Sequence, residues 1–181
     1  MDHFKPLLET GHRHFGENKV QEAEKKWIPI IEKYNDIKLH LVGKLQSNKA
    51  KQAVQLFDYI HSLDSLKLAK ILDRVEEDLK KKRKYFIQIN IGLEHQKTGV
   101  TPTEFDVFYK AIKQETKLNV IGLMCIPPVD SSASQFFSIM LDLSKQYNLP
   151  ELSMGMSSDY LEAIKYQATF IRLGTVLFGK R

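Results

Sequence analysis

A closed β/α barrel is the fold class the sequence predicts, with an open doubly wound sheet as the alternative. Strand-like apolar segments alternate with segments of helical periodicity along the whole chain, the pattern of an α/β protein with a parallel sheet. The most strand-like segments, YFIQINI at 85–91 and NVIGLMCIP at 119–127, are too apolar for a sheet with one face in water. The features suited to an anion lie at the last two strands, where barrels hold phosphate, whereas no Gly-rich dinucleotide or P-loop motif follows an early strand.

Taken in order, Asp2 is a candidate cap for a first helix carrying Phe4, Leu7 and Leu8, and Gly11 can end it. Residues 12–18, HRHFGEN, read as a short strand. Helical spacing of Trp27, Ile30 and Ile31 then predicts a helix over 20–34. Strands follow at KLHLVG (38–43) and YIHSLD (59–64), with a short helix near 50–55 between them, and Ser65 caps a helix through Leu79. After the strand at 85–91, Thr101-Pro102 predicts a helix through Ile112 with proline at its first position. A strand at 119–127 and a helix at 135–147 lead into the last stretch, Leu152 to Gly179. That stretch reads as strand, turn, helix, and a second strand ending in Gly174-Thr175. The sum is about seven strands in a chain that starts on a helix, whereas a barrel of this type closes with eight. The expectation is therefore a single domain over residues 1–181 whose first strand is missing.

Composition narrows the function classes. With 43% hydrophobic and 27% charged residues in 181, the chain is long enough to bury a substantial core, and no apolar run approaches a membrane span. The net charge of +5 owes much to Lys80-Lys81-Lys82-Arg83-Lys84, read as a solvated loop because no RNA-binding signature accompanies it. The single Cys125 excludes an internal disulfide and fits a reducing compartment. The segment MDHFK has no signal-peptide or transit-peptide character, so a cytoplasmic location is expected, with a mitochondrial one open if the true N-terminus lies further upstream.

Polar residues recur at the C-terminal ends of the expected strands: Asn18, Gln46 with Asn48, Ser62 with Asp64, Asn90, Ser157 and Gly174-Thr175. Barrels keep their active sites there, and together these residues favour a pocket for a phosphorylated ligand. Ser157 and Ser158 stand where a cap would precede the apolar spacing of Tyr160, Leu161, Ala163 and Ile164. Strand alternation places Arg172 and Gly174 on one face and Ile171 and Leu173 on the other. Both faces are expected to be buried, so Arg172 needs an acceptor, and an ion pair with a buried carboxylate is the structural alternative to a ligand. His12 and His14 could share a strand face, but no HExxH or Cys/His spacing supports a metal site. No catalytic constellation is evident either: there is no nucleophile elbow, and Cys125 sits in an apolar strand where a core role is expected.

The motifs HRHFGENKVQEA, LVGKLQSNKAK, IHSLDSLKLA, QINIGLEHQKTGV, IGLMCIPP, LSMGMSSDYLEAI and FIRLGTVLFG occur in this order from about His3 to Gly179. Together they resemble the pyridoxal 5′-phosphate homeostasis protein family, also called the YggS/PROSC family. The resemblance implies a TIM-type barrel similar to the N-terminal domain of alanine racemase. It also implies pyridoxal phosphate as cofactor and a non-catalytic role in buffering or delivering it, affecting vitamin B6 balance. By motif, Ser157 and Gly174-Thr175 would hold the phosphate, Arg172 would face the pyridine nitrogen, and Asn18 and Met124 would lie near the ring. The family's Schiff-base lysine stands on the first strand in a motif like AVSK, upstream of the GHRxFGEN-like segment; neither Lys5 nor Lys49 matches it, and the covalent anchor is expected to be absent from this chain. The expected partner is pyridoxal phosphate, without nucleic acid or membrane. A monomer is expected, with self-association through bare strand edges open. The alternatives are a racemase-like pyridoxal-phosphate enzyme and a defective truncated fragment with weak phosphate binding.

Overall fold

The computed structural model describes residues 4–94, 96–129 and 131–179, so the expected Asp2 cap lies outside the described residues. Its elements are α1 (Lys5–Glu9), β1 (His14–Glu17), α2 (Val20–Ile31), β2 (Lys38–Leu41), α3 (Ala50–Leu56) and β3 (Tyr59–Leu63). They continue with α4 (Leu66–Leu79), β4 (Lys84–Ile89), α5 (Phe105–Glu115), β5 (Asn119–Cys125), α6 (Ala133–Tyr147), β6 (Glu151–Met156), α7 (Tyr160–Lys165), β7 (Phe170–Arg172) and α8 (Thr175–Phe178). The seven described strands pair in chain order, β1 to β7, and every neighbouring pair is parallel. A doubly wound sheet reverses its strand order at a switch point; this one does not, which selects the barrel. The barrel is nearly closed. β1 and β7 are not paired with each other, yet the rings of His14 and Phe170 approach to 6.5 Å across the seam. With all strands parallel, their C-terminal ends share one rim.

Outside the strands, helices supply the apolar cover. In α2, Val20, Ala23 and Trp27 fall on one stripe, and the Trp27 indole N–H donates to Glu17 at 2.6 Å, tying the helix to β1. In α4 the buried stripe is Leu68, Ala69, Leu72 and Glu76; the Ser65 hydroxyl accepts from the Leu68 N–H at 3.3 Å, and Lys80 ends the helix in the left-handed conformation at φ 50°. Burial of each large side chain such as Leu72 or Phe137 stabilises the fold by about 1.5–3 kcal/mol.

Three local expectations change. α5 begins at Phe105 because Thr101 and Glu104 bond to each other across the preceding turn, which holds Pro102 ahead of the helix. α7 begins after Asp159, whose carboxylate accepts from the Met156 N–H at 2.6 Å, so neither Ser157 nor Ser158 is its cap. Gly174-Thr175 does not end β7; the strand stops at Arg172 and Thr175 opens α8. In the basic run the lysines are exposed as expected. Arg83, however, is half-buried and donates to the Val54 carbonyl at 2.8 Å. Its N–H also joins the Tyr85 hydroxyl and Lys82 on the fully buried Glu76.

The barrel interior is polar and aromatic. His40 stacks on Tyr59 and His61 on Phe86, each with ring centroids 4.2 Å apart, and Phe170 closes the group from β7. Their imidazoles hydrogen-bond in series, His14 Nδ1 with His40 Nε2 at 2.9 Å and His40 Nδ1 with His61 Nε2 at 2.9 Å. Burial, reinforced by the neighbouring His14 and His12, pushes His40 down to about 3, and burial with His40 and Arg172 as neighbours holds His61 well below the ordinary imidazole value.

Two outcomes follow from this packing. The unfolded chain binds protons at His40 and His61 below about pH 6.5 while the fold keeps both neutral, so their contribution is complete above that pH and falls by roughly 1.4 kcal/mol per pH unit for each below it. Denaturant midpoints should therefore drop from pH 7 to pH 5, and His61→Gln should reduce the drop. Glu76→Ala strands the Tyr85 hydroxyl and the Arg83 N–H, and equilibrium unfolding should show a loss of about 2–4 kcal/mol.

Candidate ligand site at the C-terminal rim

The site is built by the two chain segments leaving β6 and β7. Gly155 adopts φ +91°, and a Cβ there would lie 2.7 Å from that of Ala163, so glycine both permits the turn and lets α7 pack on β6. The turn brings the Ser157 hydroxyl within 3.4 Å of the Val176 N–H at the start of α8. Between these segments opens a cleft of about 670 Å³ lined by Met156, Ser157, Ser158, Arg172, Gly174, Thr175 and Val176. Gly174 presents no obstacle, since a Cβ there would meet nothing within 4 Å. The Thr175 hydroxyl has no hydrogen-bond partner among the described residues.

Arg172 forms the inner wall. One terminal nitrogen of its guanidinium donates to the Ser153 carbonyl and the Ser153 hydroxyl, both at 2.8 Å, and the other donates to the Cys125 carbonyl at 2.8 Å. All three acceptors are uncharged, and among the described residues no carboxylate pairs with it, so the ion pair considered from sequence is not what holds it. Burial lowers its pKa, yet guanidinium stays protonated in proteins. A cation is thus fixed beside the cleft without a direct ion pair among the described residues, and the Asp159 carboxylate acts on it only through space. The outer face of β7 is less covered than expected, with Ile171 37% exposed.

The structure brings Ser157, Arg172, Gly174 and Thr175 around this one cleft. Asn18 is exposed and lines a separate hollow of about 290 Å³ with Lys44, Gln46 and Lys49. Met124 is fully buried in β5, in register between Gln88 and Ser153. Asn90 shapes its own loop, bonding Glu94 through both ends of its amide. Asp64 is half-buried, and burial raises its pKa; Ser62 is buried with its hydroxyl unpaired. Burial pushes the Cys125 thiol up to about 12, which removes it as a nucleophile at neutral pH. Among the described residues no three His, Cys, Asp or Glu side chains converge as a metal site. No helix among them is long and apolar enough to cross a membrane.

Sequence reasoning missed Ser153, which holds both Arg172 and His61 through one hydroxyl, at 2.8 Å each. The available signal was a polar residue on the inward face of otherwise apolar strands, His40 in β2, His61 in β3 and Ser153 in β6. Only the register shows that they meet.

A family model described as the alanine racemase N-terminal domain matches residues 2–181. A pyridoxal phosphate homeostasis protein from Synechocystis is 42% identical over 181 residues, spanning 95% of this chain and 83% of the relative; one from Schizosaccharomyces pombe is 36% identical, spanning 95% and 76%. The solved structure of PipY from Synechococcus elongatus with pyridoxal phosphate bound superposes with a TM-score of 0.84 at 38% identity, covering 97% of this chain and 86% of PipY. An alanine racemase from Clostridium difficile shares the fold alone, with a TM-score of 0.74 at 14% identity over 97% of this chain and 47% of the racemase. The chain belongs to the alanine racemase N-terminal domain family, in the group whose members carry the name pyridoxal phosphate homeostasis protein.

Proposed function

We propose that the cleft between β6 and β7 binds pyridoxal phosphate, and that the protein, a single domain, holds and releases this cofactor without turning over a substrate. The observation that carries the proposal is the convergence of Ser157, Gly174, Thr175 and the Val176 N–H on one opening beside the unpaired cation of Arg172. The residues fit the group: hydroxyls and a backbone N–H suit a phosphate, and the open space at Gly174 leaves room for its oxygens. Asn18 and Met124 belong to the proposal as more distant neighbours of the ring.

When bound, pyridoxal phosphate supplies an aldehyde and a ring able to withdraw electrons. The protein's residues temper that chemistry. A guanidinium at the ring nitrogen disfavours its protonation, because like charges repel, and a neutral ring is a weaker electron sink. Of the residues lining the cleft, none titrates near neutrality, so none serves as a general acid or base there. Both points support reading the protein as a carrier rather than a racemase-like enzyme.

Titration of the purified protein with pyridoxal phosphate, followed by fluorescence, should show saturable binding that is much weaker for pyridoxal. Ser157→Ala and Thr175→Ala should each raise Kd by about tenfold, the effect of losing one hydrogen bond to a charged group. Equal affinity for pyridoxal would remove the phosphate assignment. The loaded protein should also restore activity to a pyridoxal-phosphate enzyme stripped of cofactor, while showing no amino-acid racemisation by itself.

A further inference from the structure

The hydrogen-bonded series inside the barrel does not stop at His61. His61 Nδ1 meets the Ser153 hydroxyl at 2.8 Å, and that hydroxyl accepts from Arg172 at 2.8 Å. The full path is His14, His40, His61, Ser153, Arg172. It starts at an exposed imidazole on β1 and ends at the cation beside the cleft.

Donor counting orients the path. Arg172 can only donate, so it occupies a lone pair of the Ser153 oxygen. The hydroxyl keeps a single hydrogen, and its best use is donation to His61 Nδ1. His61 then carries its proton on Nε2 and donates to His40 Nδ1; His40 donates in turn from Nε2 to His14 Nδ1. With His14 neutral, every link has one donor and one acceptor. A hydroxyl that donates is also a better acceptor, which tightens its bond to Arg172.

Protonating His14 breaks this pattern. Its Nδ1 becomes a donor and needs a lone pair on His40 Nε2, so the tautomers of His40 and His61 reverse. His61 then donates to the Ser153 oxygen, and the serine hydrogen turns away. The balance is one proton gained at His14; His40 and His61 each keep one proton and change the nitrogen that carries it.

We propose that His61 and Ser153 are positioning residues for Arg172, and that the chain of imidazoles transmits the protonation state of His14 to the guanidinium. The consequence for ligand affinity rests on the cofactor assignment above; the coupling itself does not. The groups facing His14 are His12, Lys38, Asp58 and Lys84, with the rings of His40, Tyr59 and Phe170 packed against it. Burial, then His12, Lys38 and Lys84, holds His14 below the ordinary imidazole value, and Asp58 opposes them. His40 faces His14, His12, His61, Tyr59 and Phe170, His61 faces His40, Phe86, Phe170, Ser153 and Arg172, and Arg172 faces His61, Cys125 and Asp159.

The test is NMR of the ligand-free protein, correlating imidazole nitrogens with ring protons through two bonds, from about pH 7.5 to about pH 4.5, a window extended below the ordinary range of histidine because His14 is held beneath it. The expected result is a change of tautomer at His40 and His61 with the midpoint of His14, accompanied by a shift of the Arg172 guanidinium resonances. In Ser153→Ala, the imidazoles should still respond while Arg172 no longer follows. Tautomers that stay fixed as His14 titrates would overturn the proposal, and so would an Arg172 that ignores the change in the unmodified protein. In parallel, pyridoxal phosphate should bind severalfold more weakly at the lower pH, and His14→Gln should reduce that difference; the phosphate's own ionisation near pH 6 acts on both chains alike. Coupled resonances with no cofactor binding at any pH would sustain the relay and remove the functional assignment instead.

Discussion

Arg172 is half-buried at the inner wall of the cleft, its hydrogen bonds all to neutral acceptors, and the rest of the site depends on that choice. Two carbonyls and one hydroxyl, each at 2.8 Å, fix the plane of the guanidinium without placing a carboxylate in contact with it, Asp159 acting only through space. A carboxylate in the same place would give a tighter pair but would quench the field in front of it. Carbonyl dipoles stabilise the cation locally, and its charge still reaches the cleft. Hydroxyls and N–H groups that bind phosphate weakly in water gain from a fixed cation nearby, since screening is reduced where the wall is protein.

The same constraint explains the unusual interior. A barrel lumen is ordinarily filled by branched apolar side chains, whereas here His40 and His61 occupy it with exposures of 4% and 1%. Ser153 must offer an oxygen to Arg172, and its hydrogen then needs an acceptor inside the barrel. An imidazole supplies one but presents a second nitrogen that needs its own partner. The demand passes from His61 to His40 and from there to His14, where water meets the series. Holding one cation in place at the rim thus leads to a polar thread through the core, satisfied link by link. Stacking on Tyr59 and Phe86 returns part of the packing that aliphatic residues would have given.

How much of this was legible from residues varies with the range of the interaction. Local signals were sufficient for the strands and most helices: Ser65 caps α4, Gly11 follows α1, and the apolar runs locate β4 and β5. The cleft residues were legible through motif resemblance, because Ser157, Arg172 and Gly174 lie within one short stretch; strand alternation did not apply to Gly174, which lies beyond the end of β7. Errors arose where side chains compete for backbone groups, as Asp159 does with the two serines before α7. The interior series was not legible. His14, His40, His61 and Ser153 stand on four strands, and His61 and Ser153 are 92 residues apart; nothing in local pattern tells an inward histidine from a satisfied core one. Their meaning comes from parallel pairing, which places His14 and His40, then His40 and His61, within one hydrogen bond of each other.

The division of the cleft bears on its proposed role. Its inner wall, Arg172, is rigidly held, whereas Gly174, Thr175 and Val176 are exposed and belong to a helix of four residues. Affinity built on a preorganised group persists, while hydrogen bonds from an exposed rim compete with water and contribute about 1 kcal/mol each. A ligand held mainly by such a rim leaves readily, yet is discriminated by the fixed cation behind it. An enzyme active site gains by enclosing its ligand and excluding water. For the proposed role, a rim of exposed donors in front of a fixed charge suits exchange, the property that buffering or delivering a reactive cofactor requires.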